Sequence, residues 1–116
     1  MSEKPIIACD LTRISEEEQE EHQKNAEGVL ASVQHSKELA DGYALQLPAE
    51  QESIERAASF IALERLCCPF LHFRLEIESN HGPVWLKLTG AEGVKAYLKD
   101  NLIKMIQSKP DSNSEL

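Results

Sequence analysis

Phe70-Leu71-His72-Phe73-Arg74-Leu75-Glu76-Ile77-Glu78 puts Leu71, Phe73, Leu75 and Ile77 on one side of an extended chain and His72, Arg74, Glu76 and Glu78 on the other. That period of two, with a charged alternate face, is the pattern of a strand that buries one face and wets the other. Asn80-His81-Gly82 follows as a turn, and Val84, Leu86 and Leu88 then alternate with Trp85 and Lys87. The two runs predict an antiparallel hairpin. A sheet with one apolar face needs a second layer to cover it, which predicts helices on that side.

Upstream, Pro69 disfavours helical geometry at Cys68 and removes an N–H donor, so a helix from about Glu50 should end at Cys67. Ile54, Ala57, Ala58, Ile61 and Arg65 fall on one of its sides and Phe60, Leu63 and Cys67 on another. Before it, Asp41-Gly42 suits the two left-handed positions of a tight hairpin turn, between Ser36 to Ala40 and the alternating Tyr43, Leu45 and Leu47. Earlier still, Ser15 and Glu18 make a capping box at the start of a helix whose stripe is His22, Ala26, Val29, Leu30 and Val33. Gly28 interrupts that helix and permits close packing. Ile6 to Leu11 reads as a first strand. Downstream, Thr89 and Glu92 make a second capping box for a helix carrying Val94, Tyr97, Leu98, Ile103 and Met105.

The expected order is β-α-β-β-α-β-β-α. It describes an α+β fold, a two-layer sandwich of a mostly antiparallel sheet with helices on one face. Residues 1–106 form a single domain, and 107–116 a polar tail expected to be disordered.

A net charge of −8 and a pI near 4.9 argue against direct nucleic-acid binding, which needs clustered Lys and Arg. Six glutamates and one lysine between Glu16 and Glu27 read as a solvated helix face. The start has no apolar segment behind a basic cluster, and no run approaches the roughly 18 apolar residues that span a membrane. A cytoplasmic protein is expected, with no membrane partner. Three cysteines without an export signal make reduced thiols the default and a disulfide framework unexpected.

The chemistry-bearing stretch is Glu64-Arg65-Leu66-Cys67-Cys68-Pro69-Phe70. Glu64 lies three residues before Cys67 and four before Cys68, so its carboxylate projects toward the same helix end as both thiols of this vicinal pair. Thiolates favour soft ions such as mercury, arsenic(III), zinc and copper(I). A helix C-terminus raises a thiol's pKa, so a metal, Arg65 or a histidine must supply positive charge. The alternative is that both cysteines are small buried hydrophobes. His22 sits mid-stripe on the first helix, either as a satisfied core histidine or as a further ligand. Cys9 reads as a core thiol or as one that resolves a mixed disulfide. His35, His72 and His81 read as surface residues, and Trp85 with His72 and Arg74 as an exposed patch.

Glu64 to Leu71, then Gly82-Pro83-Val84-Trp85-Leu86 and Leu88-Thr89-Gly90, resemble a family of small, largely uncharacterised bacterial proteins with a Cys-Cys-Pro-Phe motif. Asp41-Gly42-Tyr43, Leu47-Pro48 and His22 also fit that pattern, which spans roughly Ile6 to Leu98. Such segments occur beside, or fused to, regulators of the mercury-resistance type. The resemblance implies a heavy-metal context and a transcriptional regulator as a partner, without naming a reaction.

The leading expectation is a cytoplasmic accessory protein that binds a thiophilic metal or metalloid ion through Cys67 and Cys68, with Glu64 and His22 as further ligands or neighbours that tune the thiols. It would buffer, pass on or sense mercury, arsenic(III) or, as second choice, zinc, with no organic cofactor. Its partners are the ion or a small thiol-reactive ligand, a regulator, or a second copy. Two other readings stay open. One is a thiol-dependent oxidoreductase or transferase using Cys67 or Cys68, and the other an interaction module whose cysteines are structural.

Overall fold

The computed structural model describes residues 9–103. Within them the chain runs α1 (Glu16–Ser32), β1 (His35–Leu39), β2 (Gly42–Leu47), α2 (Gln51–Cys67), β3 (His72–Ile77), β4 (Val84–Thr89) and α3 (Val94–Leu98), the last continuing as a π-helical turn over Lys99–Ile103. The four strands form one antiparallel sheet in the order β1-β2-β4-β3. This is the expected α+β fold, and the helices cover one face.

The covered face is built from the alternating residues. Tyr43, Leu45 and Leu47 of β2 and Val84, Leu86 and Leu88 of β4 are buried against Val29 of α1, Ala57 and Phe60 of α2, and Val94, Leu98 and Ile103. Phe73 and Leu75 on the edge strand β3 are only partly buried, and Ile77, expected on the same covered face, is exposed, because among the described residues no strand lies beyond that edge. No described helix is long and apolar enough to cross a membrane.

Local rules account for the helix ends. Ser15 accepts from the Glu18 N–H at 3.1 Å while Glu18 accepts from the Ser15 N–H at 2.9 Å, the expected capping box. α2 ends at Cys67 with Cys68 as its C-cap, as Pro69 requires. The buried stripe of α2 is Ser53, Ala57, Phe60 and Cys67, which runs between the two predicted sides and leaves Ala58 and Arg65 exposed. Gly28 lets α1 approach α2, with the Arg56 side chain lying where a Cβ would stand.

Three local expectations are corrected. The segment Ile6 to Leu11 is no strand where it is described: Cys9 and Asp10 are irregular, and Asp10 caps a 3-10 turn over Leu11–Arg13, while Ile6 to Ala8 lie outside the described residues, as does Met105. Thr89 ends β4 instead of capping a helix, and Gly93, at φ 96°, precedes α3 in its place. The left-handed pair is Asn80-His81, at φ 60° and 58°, and not Asp41-Gly42.

Gly42 has a different reason to be glycine. It lies within the sheet opposite Thr89, and a Cβ there would stand 1.9 Å from the Leu88 carbonyl oxygen, a backbone atom that cannot swing aside. Gly42→Ala is therefore expected to lower stability by about 2 kcal/mol, in the range of overpacking changes, by urea denaturation. An unchanged midpoint would contradict this account.

Candidate functional site

The C-terminus of α2 is where three separate pieces of chain meet. The segment before α1 crosses it: the Asp10 N–H donates to the Cys67 carbonyl at 2.9 Å, one of the carbonyls a helix end leaves without an intrahelical partner. Gln19 of α1 holds the same segment from the other side, its side-chain amide donating to the Leu11 carbonyl at 2.9 Å. Ile14 then packs with Cys67 and Cys68 in a small apolar cluster bordered by Leu63, Phe70 and Leu71.

This docking places Cys9 beside Cys68. The two are joined in a disulfide with a Cα–Cα distance of 4.6 Å, inside the range such bonds require. The expectation of three reduced thiols is corrected, and so is the reading of Cys9 as a core thiol, since Cys9 is exposed. Cys67 is the remaining free thiol, fully buried. Burial first, and then the negative charges of Glu64, Asp10 and Glu18, push its thiol above the ordinary value, so it stays protonated near neutrality.

Glu64, one turn back on α2, connects the disulfide to α1. Its Oε1 lies 2.5 Å from His22 Nε2 and its Oε2 lies 3.3 Å from Cys68 Sγ. A carboxylate only accepts, so Nε2 carries the hydrogen. A disulfide sulfur has no hydrogen, so the contact with Cys68 becomes an S–H···O bond only when the bond opens. The His22 ring stacks on Phe60 at 5.4 Å between centroids, with planes 17° apart. Its other nitrogen, Nδ1, is buried without a partner among the described residues, as is Asn25 Nδ2. On the far side of the disulfide the Tyr97 hydroxyl of α3 lies 2.9 Å from Cys9 Sγ. Burial, and after it the charge of Glu64, push the Tyr97 phenol upward, which keeps it a proton donor to that sulfur.

Comparison with known proteins finds no match among family models, curated proteins or solved structures. The site is therefore read from its own chemistry.

Of the residues singled out in the sequence, Glu64 and Cys68 come together, and His22 reaches them through Glu64. The ligand atoms of Cys9, Glu64 and Cys68 lie within 4.8 Å of one another, a group able to hold a metal ion, yet two of its three members are covalently joined here. Cys67 is outside that group. Adjacent side chains at a helix end diverge: both cysteines pack in the small apolar cluster, but it is Cys68 whose sulfur meets Glu64. Cys9 as a partner of Cys68, and Tyr97 beside it, carry no local sequence signal. His35, His72 and His81 are exposed, as expected.

Proposed function

We propose that this protein, in its reduced state, binds a thiophilic metal or metalloid ion through Cys9 and Cys68 with Glu64 as third ligand, the disulfide being the oxidised form of the same site. The observation that carries this reading is the convergence of two sulfurs and a carboxylate oxygen within 4.8 Å. It replaces the vicinal pair as the chelate, because Cys9, Glu64 and Cys68 converge while Cys67 lies outside that group of ligand atoms.

Two thiolates and one carboxylate suit mercury(II) or arsenic(III) better than a closed tetrahedral zinc site, which draws on four ligands. The exposed Cys9 provides an entry path, and His22 orients Glu64 through its Nε2–H, as a partner behind a metal ligand commonly does. In the cytoplasm, where disulfides are usually transient or sensing, such a site would buffer, pass on or report an ion according to redox state. A regulator is the partner this role would serve.

Native mass spectrometry of the phosphine-reduced protein with mercury(II), arsenite and zinc tests it. One ion per chain is expected, with loss of the two thiol protons, and none in the oxidised protein. Cys67→Ala should keep binding. Cys9→Ser and Cys68→Ser should each weaken it by more than the roughly ten- to hundredfold that loss of a supporting partner brings. Undiminished binding by Cys68→Ser would end the reading, and loss of binding in Cys67→Ala would return the vicinal pair. Binding by neither protein would favour structural cysteines.

A further inference from the structure

The two sulfurs of the disulfide are not equivalent. Cys9 is exposed, whereas Cys68 has no accessible surface and is packed among Ile14, Cys67, Leu63, Phe70 and Leu71. Thiol–disulfide exchange proceeds by attack of a thiolate on one sulfur, and access decides which one. A molecule arriving from solvent therefore meets Cys9 Sγ. That sulfur also receives the Tyr97 hydroxyl at 2.9 Å, while Cys68 Sγ faces Glu64 Oε2 at 3.3 Å.

We infer that the folded protein carries out directional thiol–disulfide exchange with a thiol-bearing substrate, which enters at Cys9 and releases Cys68. This inference shares with the function proposed above the premise that the Cys9–Cys68 bond opens in the folded chain. In the first step a substrate thiol, R–SH, loses its proton and attacks Cys9 Sγ. The Cys9–Cys68 bond breaks, an R–S–S–Cys9 mixed disulfide forms, and the electron pair leaves on Cys68, which takes up one proton to become a thiol. In the second step another R–SH attacks the substrate sulfur of the mixed disulfide. R–S–S–R leaves and Cys9 becomes a thiol. Two substrate thiols are oxidised and one protein disulfide is reduced, so electrons and protons balance.

The reverse reaction has the same polarity: a disulfide substrate is captured on Cys9, and Cys68 closes the ring from within. Cys68 is suited to that step because it is held 4.6 Å from Cys9, Cα to Cα, by packing that keeps solvent molecules from reaching it. The buried Cys67 stays out of both directions.

The test uses the unaltered oxidised protein. It is mixed with glutathione, quenched early with N-ethylmaleimide under native and then denaturing conditions, and mapped by tandem mass spectrometry. The expected intermediate carries glutathione on Cys9 and maleimide on Cys68, in roughly tenfold or greater excess over the opposite arrangement, because Cys9 is the exposed residue and Cys68 has no accessible surface. As a second arm, Cys68→Ser treated with oxidised glutathione should accumulate one adduct on Cys9, while Cys67→Ala behaves as the parent. Glutathione on Cys68, an even partition, or an adduct formed only as fast as the chain unfolds would overturn the inference. Metal binding is measured on protein fully reduced by a phosphine, so a failed titration leaves this test standing. An adduct on Cys68 likewise leaves the metal reading standing.

Discussion

Reducing the Cys9–Cys68 disulfide is expected to lower the free energy of unfolding by about 4 kcal/mol. The bond closes a loop between residues separated by 59 positions, and the chain entropy it removes from the unfolded ensemble grows with the logarithm of that length. Urea denaturation of oxidised protein, and of protein held in a phosphine, measures the difference. A gap under about 1 kcal/mol would mean that the crossing segment is held by Asp10, Gln19 and Ile14 rather than by sulfur. The same experiment reaches the function. An ion that bridges Cys9 and Cys68 in the reduced chain ties the same two positions, and at a concentration about a thousandfold above its dissociation constant it returns roughly 4 kcal/mol. The reduced, loaded protein should then approach the stability of the oxidised one.

The second large effect is at His22 and Glu64. Their side chains are 7% and 17% exposed and 2.5 Å apart, so each has little water to turn to if the other is removed. His22→Phe preserves an aromatic ring over Phe60 but removes the N–H that Glu64 accepts. It should destabilise the oxidised protein by about 3 kcal/mol, most of it from the stranded carboxylate. Adding Glu64→Leu removes the stranded group, and the double variant is expected to recover to within about 1 kcal/mol of the parent. A double-mutant cycle by urea denaturation reports the coupling directly. If the two losses simply add, the pair has no mutual role and the link from α1 to the disulfide is incidental. The cycle also separates packing from chemistry: the double variant should fold, yet lose the third ligand of the proposed metal site.

Much of the architecture was legible because its causes are local. Leu71 to Ile77 and Val84 to Leu88 alternate with polar neighbours, Ser15 and Glu18 stand three apart, and Pro69 stops a helix in one place. β1 was harder to read, since four of its five residues are exposed and it has no apolar alternation to announce it. Its strand is templated by β2, through pairs from His35 with Gln46 to Leu39 with Gly42. The Asp41-Gly42 dipeptide misled for a related reason. It has the composition of a left-handed turn, but the glycine answers to the Leu88 carbonyl far along the chain.

By itself the amino-acid order determined the α+β class, the helix boundaries around the cysteines, and the presence of Glu64, Cys68 and His22 on faces that could meet. Only the tertiary structure decided which thiol Cys68 joins. Periodicity and capping act over a few residues, where neighbouring atoms set the energy. Cysteine pairing depends instead on where the segment before α1 crosses the end of α2, and that crossing follows from packing and hydrogen bonds between residues separated by about half the chain.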